Sequence, residues 1–264
     1  MLTTRLIACF DVVDGRVTKA RKFQDNIDVG DAAEIAASVY ADGIDEVIFY
    51  DILASAQRRR ADLATVRAVA RQTFVPLTVG GGIRSLEDMH AVLDAGAEKI
   101  SIDSMAVRNP ELIAQGSKEF GRQCIVQSMQ VKRVPVSKEI PSGYEVFIDG
   151  ARVATGLDAV AWARRGEELG AGEIVVNSID QDGTHQGYDL EITGAVARAV
   201  NLPVIASGGA GTAEHAARAF SEAGASAAIV SSLLYSPRME RTLSVRQIKD
   251  ELAKRFDLPV RPCP

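Results

Sequence analysis

The stretch VGGGIRSLEDMHAVLDAGAEKISIDS, residues 79–104, can be laid on ASGGAGTAEHAARAFSEAGASAAIVSS, residues 206–232, and that pairing decides the fold. Each copy starts in an apolar run and breaks into glycines. Each then continues as an amphipathic helical pattern that closes on glycine, the residue a helix C-terminus prefers. A second pair extends the likeness, DGIDEVIFYD (42–51) on LGAGEIVVNS (169–178). Gly81 thereby falls on Gly208 and Glu46 on Glu173, at one offset of about 127 residues. Solenoid repeats run to about 20–50 residues, so an offset this long describes a duplicated half-domain.

Outward from that pair, short β-rich runs alternate with helical stretches, the pattern of a parallel sheet with crossover helices. The strands are read at 5–10, 46–50, 76–79, 99–102, 124–129, 173–177, 203–206 and 227–230. Eight βα units close a barrel. The predicted fold is therefore a single (β/α)8 barrel domain over residues 1–264, two half-barrels of four units each. The segment 131–156, VKRVPVSKEIPSGYEVFIDGARVATG, is too long for a simple loop after the fifth strand. It reads as a hairpin insertion turning at Asp149-Gly150, where a lid over the barrel mouth would sit. On the repeat, LIACFD and CIVQSMQ are counterparts, so Asp11 and Gln130 mark corresponding strand ends.

Composition limits the partners. A net charge of −5 gives no broad nucleic-acid surface, and no apolar run approaches the roughly 20 residues of a membrane helix. The start, MLTTRLIACFDV, lacks signal-peptide features, and the three cysteines form no CxxC. Together these predict a cytoplasmic protein with reduced thiols. The three histidines are scattered and no metal-ligand spacing appears, so no metal or cofactor is expected.

Two glycine clusters, VGGGIRS and ASGGAGT, follow the third and seventh strands. Glycine there lets backbone N–H groups approach an anion, and the following helix N-terminus favours negative charge. With IDQDGT (179–184) and Ser231-Ser232 at neighbouring strand ends, the pattern predicts two phosphate sites on opposite sides of the mouth. Carboxylates stand at the C-terminal ends of strands as Asp11, Asp51, Asp103 and Asp182, with Lys19 in the loop after the first. Such groups at the top of a barrel are candidate general acids and bases. Arg5, Glu46, Lys99 and Glu173 open their strands and belong at the opposite face, where a stabilising salt-bridge ring is the default.

The motifs DVVDGRVTK, PLTVGGGIRSLED, AVRNPELI, TGLDAV, ELGAGEI, SIDQDGTHQGYDLE and PVIASGGAG resemble the cyclase subunit of imidazole glycerol phosphate synthase, from residue 2 to about 260. The resemblance implies a partner glutaminase at the N-terminal face, in a heterodimer. Ammonia from that partner would pass through the barrel to a bisphosphorylated ribulosyl aminoimidazole-carboxamide ribonucleotide, yielding imidazole glycerol phosphate and the aminoimidazole-carboxamide ribotide. It further implies that Asp11 is catalytic, with Lys19 the loop lysine. Substrate and phosphate contacts would come from Asp51, Gly81, Gly82, Ser104, Asn177, Asp182, Gly183, Gly208, Gly209, Ser231 and Ser232. Arg5, Glu46, Lys99 and Glu173 become a gate for ammonia rather than only a stabilising ring.

Two departures from the family pattern meet in the active site. Its second catalytic aspartate falls on Gln130, and an amide exchanges no protons near neutral pH. A strand-end asparagine of the family is Asp103 here, which leads to the expectation that Asp103 takes over the missing proton transfer. Against it stands the repulsion between an ionised carboxylate and a neighbouring phosphate. A basic run, Arg58–Arg60, and the basic TKARKF loop (18–23) suit either a solvated face or a further anionic group. Two other functions stay open: a paralogue that uses ammonia on another phosphorylated or sugar substrate of surface polysaccharides, and a catalytically reduced subunit that binds phosphorylated ligands or regulates a glutaminase.

Overall fold

The computed structural model describes residues 3–21, 24–54, 57, 59–235 and 242–263. Its strands are β1 (Arg5–Val13), β2 (Arg16–Arg21), β3 (Gln24–Asp31), β4 (Glu46–Asp51), β5 (Leu77–Gly80), β6 (Lys99–Ile102), β7 (Ile125–Arg133), β8 (Tyr144–Ile148), β9 (Val153–Asp158), β10 (Glu173–Ser178), β11 (Val204–Ser207) and β12 (Ala227–Ile229). Its helices are α1 (Ala32–Ala41), α2 (Leu63–Ala70), α3 (Leu86–Asp94), α4 (Ser104–Arg108), α5 (Glu111–Phe120), α6 (Ala159–Leu169), α7 (Leu190–Ala199), α8 (Ala213–Ser221), α9 (Ser231–Tyr235) and α10 (Val245–Phe256). No described helix is long and apolar enough to cross a membrane.

Eight of the strands close a parallel barrel in the order β1-β4-β5-β6-β7-β10-β11-β12, with β12 returning to β1. Strands of this kind are covered on both faces, by helices outside and by side chains within. They therefore read as continuous apolar runs such as RLIACF.

The twofold repeat is written most clearly in the helix caps. Asp31 starts α1 at φ −64°, ψ 134°, and Asp158 starts α6 at φ −66°, ψ 129°. Asp62 and Asp189 repeat the match on α2 and α7, at φ −72°, ψ 88° and φ −74°, ψ 92°. Ser85 and Thr212 do so on α3 and α8, at φ −150°, ψ 166° and φ −148°, ψ 162°. In all six the side-chain oxygen accepts a backbone N–H of the first turn, the preferred way to satisfy the orphan donors of a helix start.

The structure corrects the reading of the first strand of each half. Both β1 and β7 run past the expected ends and continue as antiparallel ribbons. Asp11 pairs with Thr18 and Gln130 pairs with Phe147, so each lies inside a strand where parallel barrel becomes antiparallel ribbon. Residues 16–21 and 24–31, read as loop, form β2 and β3, the counterpart of the predicted β8–β9 hairpin. The hairpin turn is as read, with Asp149 at φ 57° and Gly150 at φ 67°. Lys22 and Phe23 of the TKARKF loop lie outside the described residues.

Candidate active site

Side chains alternate across a strand, so each barrel strand sends every second residue inward. On β1 these are Arg5, Ile7, Cys9 and Asp11; on β4, Glu46, Ile48 and Tyr50; on β7, Val126, Ser128 and Gln130. On β10 they are Glu173, Val175 and Asn177, and Lys99 and Ser101 of β6 lead on to Asp103. The packing agrees: Ile7, Cys9, Ile48, Val126, Val175, Ile205, Ala227 and Ile229 form one buried cluster inside the barrel, with Tyr50 against it. A larger cluster fills the layer between sheet and helices. One sequence spacing thus builds a charged bottom, an apolar middle and a polar top.

At the bottom the four charged side chains close on themselves. Arg5 Nη1 lies 2.5 Å from Glu46 Oε1 and 2.8 Å from Glu173 Oε1. Lys99 Nζ lies 3.2 Å from the other oxygen of Glu46 and 3.0 Å from that of Glu173. Cations and anions alternate around the barrel axis. Burial works against the Arg5 charge, but Glu46 and Glu173 outweigh it and hold the guanidinium above its ordinary range.

Higher up, the Tyr50 hydroxyl lies 3.1 Å from Ser101 Oγ and donates to Ser128 Oγ at 3.5 Å. Burial pushes the Tyr50 phenol well above its usual range. Sequence reading missed this cluster, although the step of two from Glu46 to Ile48 to Tyr50 points to it.

The mouth carries two unlike partnerships. Lys19 reaches back from the ribbon, donating to Asp11 Oδ2 at 3.1 Å and to the Cys9 carbonyl at 3.2 Å, with the Tyr235 ring beneath its ammonium at 5.4 Å. Burial opposes the Lys19 charge, yet Asp11 and Tyr235 more than compensate and keep it firmly protonated. Across the barrel, Gln130 Nε2 donates to Asp103 Oδ2 at 2.5 Å. Burial raises the Asp103 carboxyl to about 7, aided by the charge of Asp149 and opposed by Gln130 and Arg108. The buried Oε1 of Gln130 and Oδ1 of Asn177, residues paired across β7 and β10, accept no hydrogen bond from any of the described residues.

The glycine clusters repeat in three dimensions. Gly81 and Gly208 sit at φ 90° and 89°, Gly82 and Gly209 at 72° and 98°. A Cβ on Gly81 would lie 2.2 Å from the Asp51 carbonyl oxygen, and one on Gly208 2.7 Å from that of Ser178, its half-barrel counterpart. These backbones pack too tightly for any side chain, as two close-approach loops at the mouth require. Gly183 is also in the left-handed region, at φ 66°, and the Asp182 N–H donates to Ser178 O at 3.0 Å.

Three expected substrate contacts are otherwise engaged. Asp51 is 2% exposed, takes both Arg59 guanidinium nitrogens at 2.5 and 2.9 Å, and accepts the N–H groups of Ala54 and Asp62. Its carboxylate fastens its own loop. Ser231 Oγ accepts the Cys9 N–H at 2.6 Å and donates to the Cys9 carbonyl at 2.9 Å. Ser104 Oγ accepts the Asp149 N–H at 2.9 Å, and Arg108 pairs with the Asp149 carboxylate, so the hairpin tip is docked beside Asp103. Ser232 is the second residue of α9. The basic run is also spoken for: Arg59 holds Asp51, Arg60 pairs with Glu87 and Asp88, and Arg58 lies outside the described residues.

Fold and site together define a class: a twofold-repeated (β/α)8 barrel, closed by an ion-pair ring at one end and carrying carboxyl groups and close-packed glycine turns at the other. The chain belongs to the histidine biosynthesis protein family, which it matches over residues 5–240. It is 52% identical over 255 residues to "Imidazole glycerol phosphate synthase subunit HisF" of Solidesulfovibrio magneticus, covering 97% of each chain. It is 54% identical over 253 residues to the protein of the same name from Desulfovibrio desulfuricans, covering 96% of each. With that of Syntrophobacter fumaroxidans it shares 51% identity over 252 residues, again 96% of each.

Proposed function

We propose that this chain is the cyclase subunit of an imidazole glycerol phosphate synthase, a cytoplasmic lyase of histidine biosynthesis. It acts with a glutaminase subunit docked on the N-terminal face of the barrel. The observation that carries the reading is the closed ring of Arg5, Glu46, Lys99 and Glu173 beneath an apolar interior. A neutral molecule such as ammonia crosses an apolar interior at far lower cost than an ion does. The similarity to relatives named as that subunit supports the same reading.

In this reading ammonia enters through the ring and rises past Ile7, Ile48 and Val126. It meets the substrate at the mouth beside Asp11, whose charge Lys19 balances. The turns around Gly81–Gly82 and Gly208–Gly209 receive the two phosphates of the bisphosphorylated ribonucleotide, along with Asp182, Gly183 and Ser232. The test is turnover of that bisphosphate with ammonium salts alone at raised pH, then with glutamine and the partner glutaminase. The expected product is imidazole glycerol phosphate in both. No product in either removes this reading. Binding of the bisphosphate without turnover supports the alternative that Gln130 motivates, a phosphate-ligand-binding subunit.

A further inference from the structure

We propose that Asp103 is the second proton-transfer residue of this cyclase, acting across the barrel from Asp11, and that Gln130 is a positioning residue that holds it. The proposal rests on the cyclase reading above. Four strand steps separate β1 from β7, half the circuit of an eight-stranded barrel, so Gln130 lies diametrically across from Asp11. An amide there moves no proton, and its Nε2 is spent on Asp103 Oδ2 at 2.5 Å. The other carboxyl oxygen of Asp103 is left to carry a proton.

Other carboxylates at the mouth are placed differently. Asp51 is locked by Arg59. Asp182 shares Asp11's side, since both charges bear on the buried Cys9 thiol. Asp103 faces Tyr50 on β4, Gln130 on β7, Arg108 on α4 and Asp149 at the hairpin tip. Arg108 holds Asp149 ionised, and that charge together with burial favours the protonated form of Asp103. A carboxyl that is neutral for much of the time can sit beside a phosphate turn without repelling it. Gln130 Oε1 and Asn177 Oδ1, both buried and without a partner among the described residues, face the same side and match the N–H groups of a carboxamide-bearing substrate.

The chemistry balances without an oxidant. Ammonia adds to the ketone of the ribulosyl chain, its lone pair forming the C–N bond while the carbonyl π pair moves to oxygen. Asp103 protonates that oxygen, and Asp11 removes a proton from the new ammonium nitrogen. The nitrogen lone pair then expels the hydroxyl as water, which takes the proton from Asp11. The resulting iminium returns a proton to Asp103. Both residues are restored and an imine stands ready for ring closure.

The test exchanges the two groups across their hydrogen bond. With the bisphosphate and ammonium salts, Asp103→Asn is expected to lower kcat by about 10²–10⁴-fold. The double variant Asp103→Asn with Gln130→Asp, which moves the carboxylate to the neighbouring strand, is expected to recover activity to within about tenfold of the parent. The limb of the parent pH–rate profile near 7 should vanish in Asp103→Asn. It should move to higher pH in Gln130→Leu, where the bond favouring the ionised form is gone. Turnover by the parent with an unchanged Asp103→Asn rate overturns the proposal. So does a swapped variant that folds and stays as inactive as Asp103→Asn. If Asp103→Asn does not fold, the swapped and Gln130→Leu variants decide. A parent that makes no product instead removes the cyclase reading itself.

Discussion

Asp11 and Gln130 head the two halves of one repeated design, yet their partnerships are opposite. At Asp11 a carboxylate meets a buried ammonium, and the couple carries no net charge. At Gln130 an amide meets a half-buried carboxyl, and the couple's charge depends on one proton. Backbone symmetry therefore leaves side-chain chemistry free. The caps and glycine turns superimpose in angle because they answer to backbone geometry alone. The residues facing the mouth can differ between the halves because backbone geometry does not dictate their side chains.

The sharpest way to break the comparison is to remove the carboxylate at Asp11. Asp11→Asn keeps the shape, leaves Lys19 uncompensated, and is expected to cost about 10²–10⁴-fold in kcat with ammonium salts. A loss below tenfold would show that the Asp11 end is not a proton-transfer site. The ring below separates passage from chemistry. Glu46→Gln leaves Arg5 and Lys99 short of a partner, which for a largely buried network costs about 3 kcal/mol. Denaturant unfolding should report that loss, and glutamine-dependent turnover should fall more than ammonium-dependent turnover.

The glycine turns test the symmetry itself. Gly81→Ala and Gly208→Ala each place a Cβ against a carbonyl at positive φ, and each should destabilise by about 1–3 kcal/mol with weakened phosphate binding. Unequal losses in titrations with inorganic phosphate would mean that the halves bind the two substrate ends unequally.

Asp103 gives a pH signature of its own. Its folded carboxyl is raised to about 7, so the folded chain keeps a proton that the unfolded chain has released. The stability this contributes is complete below about pH 4 and declines as pH rises through about 7. Urea midpoints between pH 5 and 8 should fall with pH in the parent, and Asp103→Asn should flatten that fall. The smallest effect is at the hairpin tip. Asp149→Asn removes a half-exposed pair with Arg108 worth about 0.2–1 kcal/mol. Amide exchange at residues 144–158 should quicken while global stability barely moves.

Much of this molecule is legible in its residues. The glycine clusters, the capping Asp, Ser and Thr residues and the 127-residue offset state the half-barrel, because helix starts and left-handed turns admit few residue types. The ring of Arg5, Glu46, Lys99 and Glu173 is legible too, since each opens a strand. The ribbons were half seen: β8–β9 carries a turn signal at Asp149-Gly150, but β2–β3 reads as a polar loop. What only the tertiary structure decided is which groups meet. Strands covered on both faces are apolar throughout, so their inward residues, Tyr50 among them, do not stand out by alternation. Asp51 looks like a mouth carboxylate until the path of its own loop brings Arg59 onto it. Asp103, just past the end of β6, and Gln130 on β7 are separated in the chain by a helical crossover, and their hydrogen bond exists only once the barrel sets β6 beside β7. Residue type supplied an acid and an amide, and packing put the amide on the acid.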